Sequence, residues 1–331
     1  MKKLGSIAFA IILSCSMLFA QGAPEASAAS ADMSNFPDKP VEAVVGWSAG
    51  GGGDVVFRVI AEVFPKYANG QPLVIKNVPG AAGITGAIEF LDARPNGYTV
   101  MHWNNASLTK TQLSKTPITA TTFEPVLQVV SSYNYLLVNA DAKWNTLQDF
   151  IDDAKANPSV ISIGNAGTAG GNHMAAILFE DAISGEFTHI PFSGGGPSII
   201  GLLGKQVDSA MNNAPEGVSN IEAGQLKMLA VFSEDRYPSF PDVPTAKEQG
   251  LDLVLPQWRG VVCPPGTPET VIQRLHDIFK QCIEDPVFIE KMKAMNVSPT
   301  YKNASDFGKF LVSEDARYEK LVKAKGLGDR Y

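Results

Sequence analysis

Short apolar runs alternate with amphipathic segments along most of the chain. This alternation is typical of an α/β fold, in which the strands of a sheet are joined by crossover helices. The predicted strands are residues 41–47, 73–76, 99–102, 135–138, 160–163, 188–190 and 228–232. The predicted helices are residues 54–64, 146–156, 172–180, 197–203, 268–284 and 304–324. Thr146 and Ser305 are the predicted N-caps of two of these helices, and Pro197 and Pro268 fit a first helical turn.

The length of the chain favours two domains. It has 331 residues, of which 45% are hydrophobic and 18% charged, enough to bury two moderate cores. No long serine- or glycine-rich linker divides it, so we expect two lobes joined by strands that cross near residues 133–137 and 256–261. The predicted lobes are residues 33–135 together with 259–331, and residues 136–258.

The first 29 residues have the pattern of a secretory signal peptide. Met1-Lys2-Lys3 is a basic start, residues 4–20 are largely apolar, and an alanine- and serine-rich stretch follows. Ile12-Leu13-Ser14-Cys15 loosely resembles a lipoprotein box, but apolar residues continue beyond Cys15. Simple export is therefore favoured over lipid anchoring, with cleavage after Ala28 or Ala29 and a periplasmic location.

Charge and residue types exclude several classes of partner. The formal net charge is −7 at pH 7, and an acidic surface without a basic cluster argues against nucleic acid and anionic lipid. The scattered histidines and the two cysteines outside the signal have no zinc-type spacing, so we expect no metal and no cofactor. Cys282 lies on the apolar stripe of a predicted helix, where a buried thiol is favoured over a disulfide with Cys263.

Three glycine-rich turns each lie between a predicted strand and a predicted helix. They are residues 48–54, 164–171 and 191–196. Glycine lets a ligand approach the peptide N–H groups, and a helix N-terminus adds unpaired donors and the positive end of the helix dipole. One such turn alone is more often simply a tight turn. Three of them in one α/β chain favour a cleft that binds an anion.

Gly46-Trp47-Ser48-Ala49-Gly50 matches the G-x-S-x-G of a hydrolase nucleophile elbow. Such a hydrolase also needs an oxyanion loop earlier in the chain, and few residues precede Gly46 once the signal is removed. The four histidines, none on an evident catalytic loop, are His102, His173, His189 and His276. A secreted serine hydrolase using Ser48 is therefore the alternative, and a binding protein is preferred. Asp54 after Gly53 also departs from a P-loop, which needs lysine there.

Several motifs in collinear order resemble the tripartite tricarboxylate transporter solute-binding proteins, also called Bug-type receptors. The motifs are Phe36-Pro37-Asp38-Lys39-Pro40-Val41, residues 45–54, Asn77-Val78-Pro79-Gly80-Ala81-Ala82-Gly83, Pro95-Asn96-Gly97-Tyr98-Thr99, Phe123-Glu124-Pro125-Val126, Gly167-Thr168 with His173, and residues 202–208, 223–227, 241–245 and 264–268. They span nearly the whole chain beyond the predicted signal. This collinearity is far more specific than any one glycine motif.

The resemblance implies a periplasmic-binding-protein fold of the type II-like kind, with two α/β lobes that close on an organic carboxylate such as a di- or tricarboxylate. It implies no enzymatic activity. It also implies delivery of the ligand to a membrane transporter made of one large and one small integral subunit. We expect a monomer. A carboxylate-sensing protein that passes its ligand to a signalling receptor is a further alternative with the same cleft.

The resemblance also assigns ligand-binding positions. The first ligand loop falls on Trp47, Ser48, Ala49, Gly50, Gly51, Gly52, Gly53 and Asp54, and the second on Ala166, Gly167, Thr168, Ala169, Gly170 and Gly171. His173 is a further assigned ligand-binding position. The turns at Asn104, Asn105 and Ala106, and at Phe192, Ser193 and Gly194, would complete the cleft. In relatives such loops hold a carboxylate through backbone N–H groups and ordered water, so a cleft without arginine is expected.

Two aromatic residues and some departures bear on specificity. Trp47 is a predicted wall of the pocket and Trp258 a predicted hinge or rim residue, with ordinary core packing equally open for both. The family usually has proline in place of Gly46, Phe or Tyr in place of Trp47, and Thr or Ser in place of Gly53. Many relatives carry Asp in place of Asn212. If Asn212 faces the ligand, its neutral amide weakens selection for an amino group and tolerates a second carboxylate.

Overall fold

The computed structural model describes residues 33–50, 52–168, 170–295 and 297–330. The predicted signal peptide, Gly51 and Ala169 lie outside the described residues. The strands are β1 Val41–Val45, β2 Leu73–Asn77, β3 Thr99–Asn104, β4 Glu124–Asn139, β5 Ser162–Asn165, β6 Thr188–Pro191, β7 Ser209–Asn213, β8 Leu226–Val231, β9 Pro256–Cys263 and β10 Ser298–Lys302. The helices are α1 Gly52–Val63, α2 Ile84–Phe90, α3 Asn105–Leu113, α4 Leu147–Ala156, α5 Gly171–Ile183, α6 Gly195–Leu203, α7 Val218–Glu222, α8 Glu269–Glu284, α9 Pro286–Ala294 and α10 Ala304–Lys325.

The strands form one mixed sheet in the order β2-β1-β3-β9-β4-β7-β5-β6, and β8 and β10 also pair with β4. Strand β1 runs parallel to β2 and β3, and β5 runs parallel to β6 and β7. The central pairs β3 with β9, β9 with β4, and β4 with β7 are antiparallel. The predicted α/β class is therefore confirmed, with two parallel groups joined through antiparallel strands.

Strand β4 changes partners along its length. Up to Tyr133 it pairs with β9, and from Asn134 onward it pairs with β7 and β8. The change falls inside the segment 133–137 where a crossing was predicted. The lobe boundaries themselves remain a prediction.

Helix α1 shows how the local sequence positions one end of the sheet. Its buried residues include Val56, Phe57, Ile60 and Val63, and their spacing of three and four places them on one face. They join a core with apolar residues of β1, β4 and α8. Burial of each such side chain contributes roughly 1.5–3 kcal/mol. The start of α1, at Gly52, is therefore held firmly against the sheet.

A second core lies under the other parallel group, built from the later part of β4 together with α4 and α5. Thr146 caps α4 as predicted, with a reciprocal capping box to Asp149. Ser305 is not the N-cap of α10. The Asn303 side chain accepts a hydrogen bond from the Asp306 N–H, which places Ser305 inside the first turn.

Both cysteines in the described part of the chain, Cys263 and Cys282, are buried free thiols. Burial raises the pKa of each to about 12, so both remain protonated. The strand predicted at 160–163 begins later, at Ser162, and Val160 before it is 70% exposed. Among the described residues, no helix combines the length and the apolar character that crossing a membrane requires.

Candidate functional site

Asp54 shapes the first glycine-rich turn. Its buried carboxylate accepts hydrogen bonds from the Gly50 N–H at 2.8 Å, from Arg58 Nε at 2.8 Å and from Asn77 Nδ2 at 2.9 Å. Asn77 also donates to the Trp47 carbonyl at 2.9 Å. Burial acts to raise the pKa of Asp54, but the hydrogen bonds from Arg58, Gly50 and Asn77 outweigh it and leave the pKa lowered. The ionised carboxylate thus holds the turn in shape.

Helix α1 begins at the end of this turn, so its first N–H groups lack intrahelical partners. Gly53 lies directly on His102, and a Cβ at Gly53 would lie 2.6 Å from the imidazole Cε1. The His102 ring packs edge-on against Phe57. Burial, and then the charge of Arg259, lower the pKa of His102 to about 3. The start of α1 therefore rests on a neutral imidazole.

The second glycine-rich turn follows β5. Gly167 has a left-handed φ of 93°, and its N–H donates to the Asn165 carbonyl at 3.0 Å. The Phe192 N–H donates to the same carbonyl at 2.9 Å, which ties the second turn to the third. Gly170 is the N-cap residue of α5. Its position gives the turn a helix N-terminus, like the first turn.

Gly171, the first residue of α5, lies in tight contact with two other elements. A Cβ there would lie 2.5 Å from Gln257 Oε1 and 2.7 Å from Asn105 Nδ2. A larger residue at Gly171 would therefore displace the amides of Gln257 and Asn105 where α5 meets β9 and α3.

A network of side-chain amides forms the floor between the two turns. Asn172 donates to Asn213 Oδ1 at 3.1 Å, and Gln257 donates to Asn134 Oδ1 at 3.3 Å. Asn213 in turn donates to Ser132 Oγ at 3.3 Å. Neutral amides supply donors and acceptors together. The network joins β4, β7, β9 and the start of α5 at the base of one cavity.

This cavity has a volume of about 340 Å³ and lies between the two turns. Its lining residues are Trp47, Gly52, Gly53, Ala82, Asn104, Ala106, Ala166, Gly167, Thr168, Gly170, Gly171, Asn172, Ser193, Asn213, Glu216, Gln257 and Arg259. A concave space of this size suits a small organic molecule. The helix N-termini and the amide floor make it suitable for an anion with further polar groups.

Arg259 of β9 and Glu216 after β7 lie in a wall that this cavity shares with a second one of about 290 Å³. Among the described residues, Nε and Nη1 of Arg259 and Oε2 of Glu216 are buried with no hydrogen-bond partner. Burial lowers the pKa of Arg259, opposed by the charge of Glu216, and a guanidinium remains protonated in proteins. The expectation of a cleft without arginine is therefore wrong.

The predicted ligand residues occupy different surroundings. Those that line the larger cavity are Trp47, Gly52, Gly53, Asn104, Ala106, Ala166, Gly167, Thr168, Gly170, Gly171 and Ser193. Gly50 lines the second cavity, and Ser48 and Ala49 are exposed. The Asp54 carboxylate is engaged within its own turn. Gly194 is the N-cap residue of α6.

Trp258 is a core residue, so of the interpretations left open, core packing in β9 fits its position and a place at the rim does not. It is fully buried and packs edge-on against Phe307 and Phe310, with ring centres 5.6 Å and 5.7 Å away. Its neighbours Gln257 and Arg259 face the cavity instead, because successive side chains of a strand point to opposite faces.

Asn212 also faces away from the cavity. Its amide nitrogen lies 3.3 Å from Ser198 Oγ beneath α6, whereas Asn213, the next residue of β7, lines the cavity. The hypothesis that Asn212 reads the ligand directly is therefore not supported by its position, and Asn213 is the residue of β7 that can.

His173 and Phe192 support the turns from behind. The His173 ring packs edge-on against His189 at 5.0 Å, and burial, then His189, lowers its pKa to about 4. Phe192 fills the space beside Gly201, where a Cβ would collide with its ring. Asn105 is buried with its side chain beside Gly171.

Sequence reasoning missed the side chains that β7 and β9 contribute, above all Asn213, Gln257 and Arg259. One signal was available, since Arg259 is a charged residue inside an otherwise largely apolar strand, and such residues are rarely fully buried unless they are paired. Within the described ranges, no group of three or more His, Cys, Asp or Glu side chains is arranged to hold a metal ion.

Comparison with known proteins agrees with the motifs. A family model described as "Tripartite tricarboxylate transporter family receptor" matches residues 56–327. Among curated proteins, the chain is 32% identical over 305 residues to the "UPF0065 protein in gbd 5'region" of Cupriavidus necator. The aligned region covers 90% of this chain and 91% of that protein.

Solved structures show the same similarity. A TctC solute-binding protein from Polaromonas shares 32% identity at a TM-score of 0.76 and covers 87% of this chain and 99% of that one. Rpa4515 from R. palustris, solved with adipate, shares 26% identity at a TM-score of 0.78 and covers 88% of this chain and 99% of that one. MatC from Rhodopseudomonas palustris, solved with bound malate, shares 25% identity at a TM-score of 0.76 and covers 87% of this chain and 100% of that one. The resemblance is confirmed, and the chain belongs to the tripartite tricarboxylate transporter receptor family, whose members are periplasmic solute-binding proteins of the Bug type.

Proposed function

We propose that this protein captures an organic carboxylate between its first two glycine-rich turns and delivers it to a membrane transporter of the tripartite tricarboxylate type. One observation carries the proposal: the N-terminal residues of α1 and α5 line the same cavity of about 340 Å³. Two helix N-termini provide unpaired N–H donors and two positive dipole ends for one anion. The similarity to proteins solved with malate and with adipate supports a carboxylate as the ligand.

Closure of two lobes would strengthen this binding. The change of partners along β4 and the two separate cores support a hinge at β4 and β9. When the lobes close and water leaves the cleft, each hydrogen bond to the anion becomes stronger in the lower dielectric. The negative net charge of the chain does not oppose this, since exposed charges are screened beyond about 8–10 Å in physiological salt.

The surroundings of Ser48 support binding rather than hydrolysis. Both ring nitrogens of His102 lack a hydrogen-bond partner among the described residues. His189 Nε2 lies 3.0 Å from Glu180 and His276 Nε2 lies 2.8 Å from the Tyr301 hydroxyl. None of these three histidines is hydrogen-bonded to Ser48, as an activated serine nucleophile requires.

The test is a thermal-shift screen of the purified protein without residues 1–29. Mono-, di- and tricarboxylates, acidic amino acids, sugars and metal ions are compared at equal concentration. A ligand that binds only the folded state raises the unfolding temperature by mass action, so we expect the largest shifts from carboxylates. The proposal fails if no carboxylate shifts the transition while a sugar or a metal ion does.

Delivery is tested separately, by uptake of the best carboxylate into proteoliposomes that contain a large and a small transporter subunit encoded beside this receptor. We expect uptake to require the receptor. Binding without any receptor-dependent uptake would favour the alternative of a sensor that hands its ligand to a signalling protein.

A further inference from the structure

Arg259 places a positive charge in the cavity wall. Its Nε and Nη1 are buried and have no hydrogen-bond partner among the described residues. A buried cation without a partner is costly, and a ligand that supplies the missing hydrogen-bond partner removes that cost. The arrangement therefore points to an anionic group of the ligand at the guanidinium.

Two glycines leave the space in which Arg259 and Glu216 lie. A Cβ at Gly52 would lie 2.9 Å from Arg259 Nη2, and a Cβ at Gly195 would lie 2.6 Å from Glu216 Cγ. Gly52 opens α1 and Gly195 opens α6. The two charged side chains are thus fitted against the helix starts, inside the wall, rather than extended into solvent.

Glu216 offers a complementary group next to Arg259. Its Oε2 is buried without a partner, and both residues line both cavities. Burial raises the pKa of Glu216, although its backbone hydrogen bond and Arg259 act in the opposite direction. An unpartnered carboxyl oxygen in this place can accept a hydrogen bond from a hydroxyl group of a ligand. The place is less suited to an ammonium group, because the positive charge of Arg259 lies in the same wall and repels it.

We propose that Arg259 binds a second carboxylate of the ligand and that Glu216 hydrogen-bonds to a hydroxyl group beside that carboxylate. The preferred substrate class is then a hydroxylated dicarboxylate. The proposal rests on the carboxylate-binding function above, in which the glycine-rich turns hold the first carboxylate. Arg259 adds selection against monocarboxylates, and Glu216 adds selection for the hydroxyl group.

Calorimetric titration of the protein without residues 1–29 tests this with four probes of equal chain length. Butyrate and succinate differ by one carboxylate, succinate and malate by one hydroxyl, and malate and aspartate by hydroxyl against ammonium. We expect succinate to bind at least about tenfold more tightly than butyrate, since a hydrogen bond to a charged group has about that effect on affinity. We expect malate to bind more tightly than both succinate and aspartate.

Variants assign these preferences to the two side chains. Arg259→Gln is expected to bring the affinities for succinate and butyrate within about threefold of each other, and Arg259→Lys to restore part of the difference. Glu216→Leu is expected to remove the preference for malate over succinate, whereas Glu216→Gln keeps a hydrogen-bonding group and retains much of it. Circular dichroism and the unfolding temperature of each variant confirm folding.

The outcomes separate this inference from the proposed function. If the wild-type protein binds no carboxylate, the proposed function fails. Suppose that it binds carboxylates but that Arg259→Gln lowers the affinities for butyrate and succinate equally, or leaves both unchanged. Arg259 then does not bind a second carboxylate. A wild-type preference for aspartate over malate would overturn the assignment of a hydroxyl group to Glu216.

Discussion

The Asp54 carboxylate accepts a hydrogen bond of 2.8 Å from the Gly50 N–H, four residues earlier in the same turn. The same oxygen accepts from Arg58 Nε at 2.8 Å. A negative side chain thus shapes a loop proposed to bind a negative ligand. The two roles are compatible because the charge of Asp54 is balanced by Arg58, one helical turn further along α1.

Asp54→Asn should loosen this turn. The variant loses the ionised acceptor shared by Gly50 and Arg58, which we expect to lower the free energy of unfolding by about 1–3 kcal/mol. Carboxylate affinity should also fall, since the start of α1 is no longer fixed. Urea denaturation and calorimetric titration with the best carboxylate measure the two effects.

Asp141→Asn is the matched control for Asp54→Asn. Asp141 pairs with Lys205 at the surface, and the two side chains are 67% and 65% exposed. Exposed ion pairs contribute little to stability, so neither the unfolding temperature nor the affinity should change. Equal losses in the two variants would show that the position of Asp54 in the turn is unimportant.

Gly171→Ala should damage the second turn. The added methyl group would lie 2.5 Å from Gln257 Oε1 and 2.7 Å from Asn105 Nδ2. Both residues are buried and Gln257 is hydrogen-bonded to Asn134, so displacing the two amides costs about 1–3 kcal/mol. Because the amide floor shifts with Gln257, we expect carboxylate binding to weaken at least tenfold. Gly196→Ala, also in a first helical turn, meets no atom within 4 Å and should leave stability unchanged or slightly raised. Equal effects of the two substitutions would contradict the close packing at Gly171.

The glycine-rich turns were predictable because their signal is local. A strand, a run of glycines and a helix are adjacent in sequence, and each element follows from its own pattern of residues. The same holds for α1, whose buried face can be identified from spacing alone.

The amide floor and Arg259 were not predictable in this way. Asn213 reaches the cavity because it pairs with Asn134 where β7 lies beside β4. Gln257 reaches it because it pairs with Ser132 where β9 lies beside β4. Such pairing joins residues far apart in the chain, and no local pattern records it. A strand also alternates its faces, so an error of one residue replaces the inward Asn213 by the outward Asn212.

Acid should destabilise the protein through buried neutral histidines. The pKa of His102 falls from 6.5 to about 3 and that of His173 to about 4 on folding. Below pH 6.5 the unfolded chain therefore binds protons that the folded chain does not, and stability falls as the pH falls through this window.

His102→Leu should flatten this dependence. Removing one titrating group lowers the slope of unfolding free energy by up to about 1.4 kcal/mol per pH unit between pH 6.5 and pH 4. Urea denaturation at several pH values in this range measures the slope. If the variant and the wild-type protein show the same slope, His102 is not buried in its neutral form.

Gly52→Ala should move the guanidinium of Arg259 while keeping its positive charge, so it tests the position of this group. The new methyl group would lie 2.9 Å from Arg259 Nη2, and the guanidinium, at the end of a flexible side chain, can move away at little cost. The unfolding temperature should therefore change little, whereas the preference for succinate over butyrate should fall because the positive charge no longer faces the second carboxylate. Gly196→Ala adds a methyl group at another helix start without touching Arg259 and should keep the preference. If Gly52→Ala also keeps it, the geometry of the guanidinium in this wall does not determine which carboxylates are bound.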